Sequence, residues 1–181
     1  MQIKHLIICL TFFFFSQNPN EESMTWSELR RLTWTDFKGD VNPNSDAVAL
    51  TASGITFGFS VSTSGSRIVD YSTSIDAHFY PNKSWYNKEE ADDYILEHEQ
   101  LHFDITELYT RKFRERLTKL SVNQNIRKQL KQLHTSINEE LNETQKRYDE
   151  QSVHSINTEV QKQWRELITS DLAKLNQFKS Q

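Results

Sequence analysis

Apolar positions along this chain change their period, and the changes divide it into regions. From Ala47 to Tyr80 the texture is that of strands. Ile55, Phe57, Phe59 and Val61 alternate with small or polar residues, and Ile68, Ile75, Ala77 and Phe79 mark a returning strand. Gly65, between Ser64 and Ser66, places a hairpin turn between the two, and Pro81 to Ser84 closes the region. The period then becomes helical. Tyr94, Ile95, Leu101, Ile105, Leu108 and Tyr109 recur through residues 88–119, a stretch without Gly or Pro, and Asp92 or Asn87 can cap its start. Ser121 to Gln124 restarts a second amphipathic helix that runs to about Tyr148 on Ile126, Leu130, Leu133, Ile137 and Leu141. Ser152 to Asn157 interrupts the pattern. A third helix, about Thr158 to Phe178, carries Val160, Trp164, Leu167, Ile168, Leu172 and Leu175. Upstream, Trp26, Leu29, Leu32, Trp34 and Phe37 alternate with polar residues in a short helix or strand pair, with core roles as the default, and Gly39 to Asp46 is a turn cluster. The predicted fold class is α+β: a small antiparallel β-sheet followed by three helices, forming a single domain over residues 26–181.

The first residues read differently. Lys4 and His5 precede the apolar run Leu6 to Phe15, which is followed by the polar SQNPNEES. A short basic start and a run too short to span a bilayer predict a secretory signal peptide over residues 1–16, then a polar linker over 17–25. The mature protein is therefore expected in the cell envelope or outside the cell, with no stable membrane span after signal removal. The single cysteine, Cys9, falls inside the apolar run. Removal of the leader leaves no disulfide and no thiol nucleophile, and Cys9 is misplaced for a lipid anchor. Composition narrows the field once more. A net charge of −4 and a pI near 5.9 lack the basic excess of a nucleic-acid binder.

The candidate chemistry sits on the first long helix, at His98-Glu99-Gln100-Leu101-His102. Residues i and i+4 of a helix share a face, with Cβ atoms about 5–6 Å apart, so His98 and His102 can reach one zinc ion together. Glu99 projects onto the flank of that face, where a general base for a zinc-activated water belongs. A zincin-like arrangement, with HExxH on the first long helix, is the expectation. A catalytic zinc needs a third protein ligand. Asp104 and Glu107 turn away from His98 on the same helix and are expected to be solvated or salt-bridged. If the second helix folds back through a tight turn near Leu120, Glu143 lies level with His98 and Glu139 with His102, although Glu139, Glu140 and Glu143 also read as an ordinary charged face. His154, in the break after the second helix, is a further candidate. His78 on a strand and His134 on the second helix are weaker ones.

The pairing of LEHEQLHFDITELYTRKFRERL with the later YDEQSVHSINTEVQKQW resembles a bacterial family first catalogued as a domain of unknown function, whose members are described as secreted zinc-dependent proteases. Leu32 to Gly39 and Ala77 to Trp85 resemble its pattern too, so the likeness runs from about Trp34 to Trp164. The family's downstream segment reads Tyr-Asp, then Thr, then His-Gly. Tyr148, Asp149 and His154 match it, while Ser152 stands for Thr, Ser155 for Gly, and Leu101 for a frequent Gly. The resemblance implies His154 as the third zinc ligand beside His98 and His102. It implies a Zn2+-dependent metallopeptidase acting on a peptide or protein substrate, with Glu99 passing a proton to the leaving amine. On this reading Tyr148 is a candidate oxyanion donor, and the strand Ile75 to Tyr80 a candidate edge for an extended substrate. The rival is a non-catalytic, zinc-stabilised or metal-free envelope binding or scaffold protein. A fourth protein ligand closing the zinc would mark it.

Overall fold

A computed structural model describes residues 21–180. The predicted leader and the first part of the linker lie outside the described residues. The chain is α+β. Strands β1 (Met24–Thr25), β4 (Arg67–Phe79) and β3 (Ser53–Ser64) form a three-stranded antiparallel sheet in the order β1-β4-β3, and β2 (Ala49–Leu50) pairs with β5 (Trp85–Tyr86) in a second ribbon. Three helices follow: α1 (Asp93–Leu117), α2 (Ile126–Ser152) and α3 (Thr158–Lys174). No helix among the described residues is long and apolar enough to cross a membrane.

The long hairpin follows from its alternation. Phe57 stands opposite Ile75 and Ile55 opposite Ala77, so one face of β3–β4 is mainly apolar. A register shift at Ser62/Thr63 lets the exposed tip twist away before Gly65 turns the chain at φ 62°. The apolar face packs on α1, where Phe57 meets Phe113 at 4.9 Å between ring centres. Ile75, Ile105, Phe113, Ile126, Leu130, Ile137, Tyr148 and Trp164 are among the residues of the main core, to which all three helices contribute. A second cluster joins Trp26, Leu32, Phe37, Ala77, Phe79 and Phe103 beneath the N-terminal segment. Each large side chain so buried contributes about 1.5–3 kcal/mol, which is how a segment of little regular structure is pinned. Leu29 departs from its expected core role. It sits on the turn bridged by Ser27 and Arg30 and is 97% exposed.

Two sets of contacts fix α1 from behind. Asp104 accepts hydrogen bonds from Trp26 Nε1 (2.8 Å) and Gln100 Nε2 (2.8 Å), and Gln100 Oε1 accepts from the Leu32 amide (2.7 Å). Burial pushes the Asp104 carboxyl above its ordinary pKa, against the pull of those two donors. One turn on, Glu107 is fully buried and accepts from Arg111 Nε (2.8 Å), from the Ser180 amide (3.2 Å) and from its hydroxyl (2.9 Å). Both carboxylates thus face away from the histidines. Glu107 is salt-bridged, one of the two fates expected of it, and Asp104 is partly buried among neutral donors.

Candidate metal centre

Helix α1 begins where Asp92 Oδ1 accepts from the Ile95 amide at 2.8 Å, an N-cap that fixes the helical phase six residues before His98. That phase turns both imidazoles of the motif toward α2. His98 Nε2 and His102 Nε2 lie 3.2 Å apart. Asp149 Oδ1, from the last turns of α2, lies 3.3 Å from the first and 2.9 Å from the second. His98, His102 and Asp149 form a group that could hold a metal ion, with one ligand atom from each within 4.8 Å of the others. Ligands about 2.0–2.1 Å from a tetrahedral zinc stand about 3.3 Å apart along each edge. The triangle has that size.

Asp149 occupies the third position, and the other candidates lie elsewhere. His154 follows the end of α2 by two residues, is exposed, and meets the group only through its amide, which donates to the Asp149 carbonyl at 2.9 Å. It belongs to a turn in which Val153 (φ 51°), His154 (φ 50°) and Ser155 (φ 72°) are all left-handed, a conformation costing roughly 1–2 kcal/mol per residue without glycine. Glu139 and Glu143 are exposed. The turn near Leu120 is there, but it is wider than that pairing needs. Residues 118–125 connect α1 to α2, and Gln145 and Asp149 come level with the motif instead. His78 bonds Thr56 Oγ1 at 2.8 Å on the sheet, and His134 stacks on Phe113. The strand Ile75 to Tyr80 is flanked at Phe79 by β1 on one side and β3 on the other, so that end offers no free edge.

Around the triangle the chain supplies orientation. Gln145 Oε1 accepts from His102 Nδ1, and its Nε2 donates to the His102 carbonyl at 2.9 Å. A carbonyl on Nδ1 selects the tautomer whose Nε2 lone pair faces the triangle. Tyr148 stacks on His98 at 4.5 Å and meets His102 edge-on at 5.0 Å. Burial would lower the pKa of His102, but Asp149, Glu99 and Gln145 outweigh it and raise the value to about 9. Asp149, also partly buried, is held well below the ordinary carboxylate range by the two histidines. In the metal-free protein this is a partly buried ion pair, and a cation would replace the proton.

Glu99 is 5% exposed, and its Oε2 has no hydrogen-bond partner. Its charge reaches both His102 and Tyr148. The buried side-chain polar atoms without partners among the described residues are the Tyr94 and Tyr148 hydroxyls, His98 Nδ1, Glu99 Oε2 and Gln161 Oε1. They cluster here. Gln161 donates its Nε2 to the Tyr94 carbonyl (3.3 Å), and Tyr94 lies one turn before His98. A buried polar atom left unpaired costs about 1–3 kcal/mol, so such a concentration points to groups awaiting a ligand. Nothing in the sequence singles out Gln145 or Gln161. No charge or motif distinguishes a glutamine; only the helix register brings them in.

The profile of the family described as "Bacterial protein of unknown function (DUF922)" matches residues 23–155, and the chain belongs to that family. No curated protein and no solved structure matches it. The matched span contains the whole triangle and Glu99, while α3 lies beyond it.

Proposed function

We propose that this family member is a zinc-dependent peptide hydrolase that works outside the cytoplasm. The observation that carries the reading is the set of three ligand atoms at tetrahedral spacing, with a buried carboxylate, one of whose oxygens has no partner, as the neighbour of one ligand in sequence. The residues fit zinc in type as well as spacing: two neutral imidazoles and one carboxylate are a known catalytic donor set. Zinc held there supplies a Lewis acid that polarises a carbonyl and brings the pKa of a water toward 7. Glu99 takes the proton of the attacking water and passes it to the departing amine. The Tyr148 hydroxyl, whose pKa is driven upward by burial and by the charges of Glu99 and Asp149, stays protonated and donates to the developing oxyanion. Gln145 holds His102 in the required tautomer. The leader pattern over residues 1–16 supports an address beyond the membrane.

A closed structural site would show four protein ligands. Among the described residues the group has three, which supports the catalytic reading over the binding or scaffold one. Metal analysis of the purified chain tests the centre. One zinc per chain is expected in the parent and in His154→Ala, and a large loss in Asp149→Ala. Loss in His154→Ala with retention in Asp149→Ala would move the third ligand. No zinc in the parent after supply at neutral pH would remove the centre. Glu99→Gln should keep its zinc and lose roughly 10²–10⁴-fold in hydrolysis of an unfolded protein substrate. Unchanged cleavage by Glu99→Gln refutes the mechanism.

A further inference from the structure

Behind the ring pair that backs the metal triangle, the three helices leave a groove of about 610 Å³. Its floor is Leu108, Ile168 and Trp164, with Leu167, half-exposed, at its margin. Trp164 packs on Tyr148 at 5.4 Å, and Tyr148 stacks on His98. The groove is therefore separated from the centre by two side chains. Its walls carry two cations. Lys112 lies over the Tyr109 ring at 4.1 Å, and Arg147 over the Trp164 ring at 5.6 Å. These contacts hold the charges against the groove wall.

Neither cation has a carboxylate within 4.0 Å among the described residues, and two of the carboxylates near them are engaged elsewhere. Asp171, which also lines the groove, binds Lys174 at 2.7 Å. Glu140, the carboxylate that feels the charge of Lys112, is held by both Arg116 nitrogens at 2.5 and 2.7 Å. The groove thus combines an apolar floor with unmatched positive charge. Thr144 Oγ1 is taken by the Tyr109 hydroxyl, but Gln151, whose Oε1 accepts from Trp164 Nε1, and Gln163, whose Nε2 donates to Glu159 Oε1, each keep a second amide atom among the apolar side chains, which suits a polypeptide backbone better than a hydrocarbon chain.

We infer that this groove docks a segment of a polypeptide in which acidic and apolar residues alternate. The substrate aspect of the inference rests on the hydrolytic reading: the docked segment belongs to the protein whose scissile bond is presented at the zinc. Charge complementarity of this kind sets partner choice and encounter rate more than raw affinity. Docking itself needs no catalysis, so the two readings fail separately.

The test uses the zinc-supplied chain carrying Glu99→Gln, which cannot consume the probe. A fluorescein-labelled peptide alternating Glu and Leu is titrated by fluorescence anisotropy, beside the same peptide with Lys for Glu. The expected result is preferential binding of the acidic peptide that weakens with salt and falls about tenfold in Lys112→Glu/Arg147→Glu, a change at the groove walls. A Lys131→Glu/Lys162→Glu control should bind as the parent does. Equal binding of both peptides, or indifference to the groove reversal, overturns the inference. So does binding of oleate but of neither peptide, which would assign the groove to an amphiphile. Cleavage of the acidic peptide by the parent is scored separately. Groove-dependent binding without cleavage would leave the docking surface and remove the hydrolase; cleavage indifferent to the groove would do the reverse.

Discussion

At the scale of single residues, the centre depends on how little freedom its ligands keep. His102 is held by two hydrogen bonds to one side chain, because Gln145 meets both its Nδ1 and its backbone carbonyl. Removing such a partner from a metal-bound histidine costs 10–100-fold in affinity or activity. Gln145→Ala should weaken zinc binding by about that factor in a competition titration with a chelator, while Glu143→Ala, exposed on the same helix, should not change it. Equal affinity in both variants would mean that Gln145 serves packing alone. The motif itself was legible in the sequence, since a spacing of four puts His98 and His102 on one face wherever the helix lies. Asp149 was visible only as part of a Tyr-Asp pair. Nothing local separates a ligand carboxylate from the solvated ones on the same helix.

At the scale of elements, periodicity carried the reading a long way. The hairpin, the three helices and the Asp92 cap all rest on signals within one element. What pairs across elements did not follow, because a connection of several residues between α1 and α2 changes which side chains come level. The same limit applies to His134. Its residue type makes it a candidate ligand, yet α2 presents it to Phe57 and Phe113, at 5.1 and 6.0 Å. Burial there lowers its pKa below the usual 6.5, as burial also does for His78. The folded state then binds fewer protons than the unfolded one. The contribution to stability is present above pH 6.5 and is lost as pH falls toward the depressed folded values. The raised His102 works in the opposite sense in the metal-free chain, so the test is a difference: between pH 7 and pH 5 His134→Leu should lose less melting temperature, or gain more, than the parent. An identical slope in the variant would show that His134 does not contribute.

At the scale of the whole molecule, one buried pair on α1 joins parts of the chain that are far apart in sequence. Glu107 receives both the amide and the hydroxyl of Ser180. Its partner Arg111 donates to the Leu172 carbonyl of α3 at 2.6 Å and lies 5.2 Å from the centre of the Trp26 ring. The N-terminal segment, α3 and the C-terminal residues are thus fastened to the rear of the helix that carries the histidines. Replacing both charges together with apolar residues can be nearly neutral, whereas removing one leaves its partner buried and unpaired, at about 3–5 kcal/mol. Against a total stability of about 5–15 kcal/mol that is a large share. Glu107→Ala should therefore shift the urea midpoint of the metal-free chain strongly, and Glu107→Leu/Arg111→Met should recover much of the loss. Zinc should partly rescue Glu107→Ala, since an ion bound only by the folded state adds to its stability. A single variant that costs less than about 1 kcal/mol would mean that water or a shifted side chain satisfies Arg111. In that case α1 would be held from behind mainly by apolar packing and by the Asp104 network.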